Sequence, residues 1–177
     1  MTQAVNMLFM ADTLGQMITH GVDIANQWDL ANGQAGNGTD YGLLNADSYA
    51  RSPQYYVYPL WRKFGQELLP VTSAHNAATQ LSIYAGRIDP WNVSVMAINK
   101  TGSAIQTTIE MQGAPATLLG GTADVAKANA LSSQTATFNG VSNPNDSLSN
   151  APSTNLGVVA NPLTYTFQPY SITLLRI

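Results

Sequence analysis

The sequence predicts an α+β fold: an antiparallel β-sandwich of about seven or eight strands over residues 69–177, preceded by a helix–strand–loop–helix segment over residues 1–68. Three observations predict it. Apolar residues recur at helical spacing near the start of the chain. From about residue 69 the pattern changes to strict alternation. Turn-forming clusters then interrupt the alternating runs at short intervals. A chain of 177 residues can hold one good-sized domain, or one domain plus a piece of another.

The first element is a helix. Ala4, Met7, Leu8, Ala11, Leu14, Gly15 and Ile18 fall on one face. Ala11 and Gly15 are small, so this helix can sit close to whatever it covers. Gly21 is placed to close it as a C-cap glycine, and His20 in the last turn complements the helix dipole. Residues 22–28 (VDIANQW) then read as a strand with Val22, Ile24, Asn26 and Trp28 on one side. A polar, glycine-rich loop follows, carrying Asn32, Gly33, Gly36, Asn37, Gly38 and Asp40. The next helix starts with Ser52 as N-cap and Pro53 at its first position, is kinked at Pro59, and stops at Gly65. Helix, strand, long loop and helix make a period and a half of a βα barrel, with one strand that cannot form a sheet alone.

The second part is strand-rich. Residues 80–87 (QLSIYAGR) and 92–99 (NVSVMAIN) alternate around the turn Ile88-Asp89-Pro90-Trp91, a hairpin signal. A second turn at 99–102 leads into 103–111, where Ile105, Ile109 and Met111 share a face. Residues 116–119, 134–138, 163–167 and 171–177 supply further short strands. Ile83, Val95 and Ile109 are predicted core positions. Residues 140–162 are turn-forming throughout and apolar only at 156–159, which predicts a long surface loop or mobile insertion.

Composition narrows the function. A net charge of −3 with seven scattered basic residues argues against nucleic acid, which requires a basic stripe. No apolar run is long enough to span a membrane. The absence of cysteine excludes a disulfide framework and thiolate metal sites. The N-terminus lacks the basic region and cleavage pattern of a signal peptide and reads as an amphipathic helix already in progress. Charged residues make up only 10% of the chain, and polarity comes from Asn, Gln, Ser and Thr, as suits an extracellular β-rich domain.

Chemistry of other kinds finds little support. His20 ends a helix and His75 sits in a polar turn, so a Ser-His-Asp triad is not indicated. Two distant histidines do not make a transition-metal site. No cofactor is predicted: oxygen ligands for calcium are plentiful around Asp40, Asp47 and the Asn-rich loops, but none has EF-hand spacing. Asn37, Asn92, Asn99 and Asn145 begin N-glycosylation tripeptides, which arise by chance in such a composition. An aromatic and a carboxylate, Trp28 and Asp29, at a strand end under a long loop match the way α/β barrels build substrate sites, with half-buried packing as the alternative. Trp91 in a hairpin turn offers a flat ring to a pyranose face. The alternative is that it packs at the junction with the helices.

Taken together these residues resemble the C-terminal part of clan A glycoside hydrolases. The resemblance is carried by the strand ending in Trp28-Asp29, the loop with YGLL at 41–44, the SPQYY helix at 52–56, Phe64-Gly65, the segment LSIYAGRIDPWNVSVMAINKTGSAIQTTIEMQG and the terminal TYTFQPYSITLLRI. Family 44 endoglucanases and xyloglucanases are the best match, with families 39 and 51 close behind. The resemblance implies that residues 1–68 are the end of a (β/α)8 barrel followed by its accessory sandwich. It implies that Trp28 floors a sugar subsite; Asp29, Asn32 and Asp40, which have no counterpart in the family pattern, are able to hydrogen-bond sugar hydroxyls, and Tyr41 is a further carbohydrate-binding candidate. It also implies secretion and a plant-type polysaccharide partner such as β-glucan, xyloglucan or arabinoxylan.

One feature departs from the family pattern. These families use a pair of glutamates about 5–5.5 Å apart, and the only glutamates here are Glu67 and Glu110, neither at the end of a barrel strand. The chain alone is therefore expected not to hydrolyse glycosides. Three readings compete: a glycosidase segment, a free-standing carbohydrate-binding module, and an oligomer completed by a second copy. A lone strand at 22–28 would seek partners, so self-association through residues 1–65 is expected, with packing of this segment against the sandwich as the alternative.

Overall fold

A computed structural model describes residues 2–33, 35–36 and 40–177. Its first element is α1 (Ala4–Thr19), which buries Ala4, Met7, Leu8, Ala11 and Gly15 along the predicted face. The N–H groups of Ala4 and Val5 donate to the carbonyls of Ser133 and Leu131 at 2.8 and 2.9 Å, so the far end of the chain satisfies the helix start. At the other end Val22 N–H donates to Met17 O at 2.9 Å and Gly21 N–H to Ile18 O at 3.1 Å. Gly21 has φ 73, which completes a Schellman cap.

Residues 22–28 do not form the expected strand. They run as an irregular segment with Val22, Ile24 and Trp28 exposed. A strand exists only through its ladder, and among the described residues no neighbouring strand pairs with this one. The nearby pairing is a two-residue parallel contact of β1 (Ala31–Asn32) with β2 (Leu44–Asn45). The second helical segment is a 3-10 turn (Pro53–Tyr56) continuing as α2 (Val57–Trp61). Pro59 falls within this short α2, where the missing N–H leaves the ladder incomplete. The chain then tightens through Phe64 to Gly65. A Cβ on Gly65 would lie 2.4 Å from the Arg87 carbonyl oxygen, so only glycine permits this approach to the sheet.

The remaining strands are β3 (Glu67–Leu69), β4 (Leu81–Asp89), β5 (Asn92–Asn99), β6 (Ile105–Ile109), β7 (Thr117–Leu118), β8 (Thr122–Lys127), β9 (Thr137–Phe138), β10 (Val141–Ser142), β11 (Thr154–Asn155), β12 (Val159–Ala160), β13 (Leu163–Phe167) and β14 (Ser171–Arg176). The large sheet has the order β10-β9-β8-β14-β5-β4-β3, with β11 also on β8. The pairs β13-β6 and β12-β7 form the opposing layer. All pairings in the sandwich are antiparallel.

Two cores sit on the two faces of the large sheet. Met96, Ile98, Ile172 and Leu174 point toward the helices, where they meet Met7, Leu8, Ala11, Tyr56, Val57 and Leu60. Val95, Ala97 and Leu175 alternate with them and face Phe167, Val159 and the partly buried Ile105 and Ile109. The molecule therefore has three layers: helices, large sheet, small sheet. This corrects the one-sided burial that alternation in residues 92–99 suggests. β5 is buried on both faces from Ser94 to Asn99 because the helices cover the second face. The helix α1 and the segment 53–64 thus pack on the sandwich of their own chain. Of the predicted core positions Val95 is fully buried, while Ile83 and Ile109 pack at the margin of the second core.

β8 went unread in the sequence although it lies in the middle of the large sheet between β14 and β9. Residues 140–162, expected as a long loop, follow the sandwich surface through the short strands β10, β11 and β12. Asn139 Nδ2 donates to Ala151 O at 2.9 Å, and Ala151 and Val159 are buried.

Candidate functional site

The loop after Trp28 is held at its neck by a buried glutamine. Gln54 Nε2 donates to the carbonyl oxygens of Tyr41 and Gly42, the latter at 3.1 Å, and Gln54 Oε1 accepts from Asn6 Nδ2 on α1. The hydroxyl of Ser52 donates to the carbonyls of Gly42 and Leu43 at 2.9 and 3.0 Å. Ser52 occupies the N-cap position as predicted, but its side chain ties down the loop and does not cap the helix. Gly42 is required at this neck, since a Cβ would stand 2.5 Å from Asn32 N.

Within this frame the predicted residues take distinct places. Trp28 is 78% exposed, and its carbonyl accepts from Gln27 Nε2 at 2.7 Å, while Tyr58 donates to Gln27 Oε1 at 3.0 Å. The Trp28–Asp29 peptide is cis. Asp29 accepts from Asn32 Nδ2 at 3.3 Å through one carboxylate oxygen, and its buried Oδ1 has no partner among the described residues. Asp40 accepts from the Ala35 N–H, which curls the loop back on itself. Tyr41 leaves part of its ring exposed beside the neck. The loop surface thus offers an open indole plate with a carboxylate and a carboxamide close to it in the chain. That combination suits a ligand with an apolar face and polar edges. Asn37 lies outside the described residues.

Trp91 is not part of this group. It sits at the turn between β4 and β5 and is 89% exposed, so the packing at a helix junction weighed from the sequence does not occur. The first loop reaches toward the other end of the large sheet. Ala35 O accepts from Gln134 Nε2, three residues before Thr137 pairs with Lys127. Trp91 instead stands beyond the end where Arg176 pairs with Thr122 and Ser94.

Glu67 and Glu110 are separated by layer. Glu67 on β3 pairs with Arg87 at 3.1 Å on the edge of the large sheet, and Glu110 follows β6 in the small one, exposed. His20 Nδ1 lies 2.8 Å from Gln16 O at the end of α1, and His75 sits in a polar turn. Among the described residues no cluster of metal-ligating side chains exists and no helix is long and apolar enough to cross a membrane.

Sequence reasoning missed Gln54 and Asp124. Asp124 is buried on β8 and receives Lys63 Nζ at 2.9 Å, Ser153 Oγ at 2.6 Å and Asn139 Nδ2 at 2.8 Å. Burial pushes its carboxyl up, and the hydrogen bonds from Ser153, Asn139 and Lys63 outweigh that and hold it below the usual range. Neither residue carries a local signal, because their partners come from distant segments.

No protein-family model and no curated protein matches the chain. Solved structures do. The α-L-arabinofuranosidase of Thermotoga maritima superposes with a TM-score of 0.71 at 15% identity, over 99% of this chain and 38% of that one. A family 30 subfamily 8 xylanase of Clostridium acetobutylicum gives 0.62 at 16% identity, over 99% and 39%. A family 44 xyloglucanase of Paenibacillus polymyxa, solved with xyloglucan, gives 0.62 at 16% identity, over 94% and 28%. At these identities the likeness establishes the fold: the whole chain is built like part of several glycoside hydrolases. It spans less than two-fifths of their length. Family 30 is a neighbour that the sequence did not suggest.

Proposed function

We propose that this chain is the C-terminal segment of a polysaccharide-degrading glycoside hydrolase and carries its accessory β-sandwich. In this reading it is not catalytic by itself and works outside the cell. The observation that carries it is the outer surface of residues 1–65. Val5, Phe9, Ile24, Trp28 and Leu30 are each exposed there, although α1 and α2 are well packed on the sheet. Large apolar side chains left exposed in this number support a contact with something else. The whole-chain likeness to larger glycosidases supports a barrel as that something. Trp28, Asp29, Asn32, Asp40 and Tyr41 would then border a sugar subsite. A xylan- or xyloglucan-type substrate is supported by what the neighbours act on.

Reducing-sugar release from xyloglucan, arabinoxylan and β-glucan tests the reading. The purified chain is expected to release none. Turnover that disappears in Glu67→Gln or Glu110→Gln would overturn it. Sedimentation at high micromolar concentration tests the surface: self-association through residues 1–65 is expected, and a monomer that binds polysaccharide would favour a free-standing binding module.

A further inference from the structure

The end of the sandwich farthest from the Ala35 loop carries features that its folding does not explain. At the β4–β5 turn, the Asp89 carboxylate accepts the N–H groups of Trp91 and Asn92 at 2.8 and 2.9 Å, and Asn92 Nδ2 reaches both its oxygens at 2.9 and 2.8 Å. Pro90 fixes the backbone before the tryptophan. The turn is thus rigid on its own account, and the Trp91 side chain adds nothing to it. Yet this large ring stands almost wholly in solvent, next to an open cleft of about 420 Å³ lined by Ile88, Asn92, Gly120, Gly121, Thr122 and Arg176. Leu119, which precedes the lining residue Gly120 in the chain, is 96% exposed.

We propose that Trp91 and this cleft form a second carbohydrate-binding surface, which takes a neutral polysaccharide chain through a pyranose face stacked on the indole. The chemistry of the lining selects that occupant. Gly120 presents bare backbone to the cleft, with nothing within 4 Å of where its Cβ would be, so a ligand can approach the main chain there. Thr122, Asn92 and Arg176 supply hydroxyl, carboxamide and guanidinium groups, which match vicinal sugar hydroxyls. Arg176 is about a third exposed, and its Nη2 reaches Ser153 Oγ only at 3.4 Å, so part of the guanidinium stays open to the cleft. Asp124, which Arg176 at 3.6 Å shares with Lys63 at 2.9 Å, and Asp89 in the lining together balance these two cations. No net positive charge remains to select an acidic polymer.

The choice of probes rests on the glycosidase reading, but the site does not depend on Trp28. Affinity gel electrophoresis with xyloglucan, arabinoxylan and β-glucan should show retardation that Trp91→Ala weakens by about tenfold or more and Trp91→Phe weakens less. Tyr49→Ala, which removes another exposed aromatic ring, should leave that retardation in place. Because Trp91 is 89% exposed, the variant should melt with the parent, which separates lost binding from lost folding. Retardation unchanged in Trp91→Ala, or absent with all three polymers, overturns the proposal while leaving the hydrolase reading to its own assay. Binding of polygalacturonate alone overturns the neutral-ligand assignment.

Discussion

Gly15 lies against the ring of Tyr84: a Cβ on Gly15 would stand 2.3 Å from Tyr84 Cζ. The tyrosine cannot easily move away. Its hydroxyl donates to Asp12 Oδ1 at 2.7 Å and accepts from Gln16 Nε2 at 3.0 Å, and Trp61 packs on its edge at 5.7 Å. Gly15→Ala gains about 1 kcal/mol of helix propensity but overpacks the contact at about 1–3 kcal/mol. A net loss of stability is expected in thermal melts. Tyr84→Phe in the same background isolates the hydroxyl, and a Gly15→Ala variant as stable as the parent would show that α1 can lift off the sheet.

The buried carboxylate of Asp124 should make stability fall in acid. Its folded pKa is depressed, so its contribution is present above the unfolded value of about 3.9 and is lost as pH falls through the folded value. Asp124→Asn is expected to cost roughly 1–3 kcal/mol near pH 7, at the lower end because Lys63 remains about a third exposed and regains water. Urea unfolding below and above about pH 4 checks it: the parent should lose stability on acidification, and the variant should lose less.

Core truncations should rank by layer. Leu174→Ala removes a fully buried side chain between the helices and the large sheet and should cost about 2–5 kcal/mol. Ile109→Ala, at the half-buried margin of the small sheet, should cost less, about 1–2 kcal/mol. Equal losses in chemical denaturation would mean that the small sheet closes more tightly than its burial implies.

Gln54→Leu should loosen the Trp28 loop without unfolding the sandwich. It leaves the Tyr41 and Gly42 carbonyls and the Asn6 carboxamide without this partner, at about 1–3 kcal/mol for each group left unpaired. Faster amide exchange at Leu43, Leu44 and Ala46, whose N–H groups bond back to Asp29, Leu30 and Asn32, is the expected signature. Unchanged exchange there would move the anchor to Ser52.

Much of the fold was legible because the pattern is local. The face of α1, the Gly21 cap, the hairpin of β4 and β5, and strands β13 and β14 follow from apolar spacing and turn residues that lie side by side in the chain. Trp28 and Trp91 stand out as candidate sugar-stacking residues for the same reason. Only the tertiary structure decided the rest. Residues 22–28 carry the alternation of a strand and form none, because a ladder needs a neighbour that alternation cannot supply. β8 reads as loop because it holds Asp124 at an inward position, a residue depleted in strands. It becomes a central strand because Lys63, Ser153 and Asn139 arrive from distant parts of the chain to satisfy that charge. The exposure of the two tryptophans was decided in the same way: a side chain's burial depends on what the rest of the chain brings to it, and the described residues leave Trp28 and Trp91 largely uncovered.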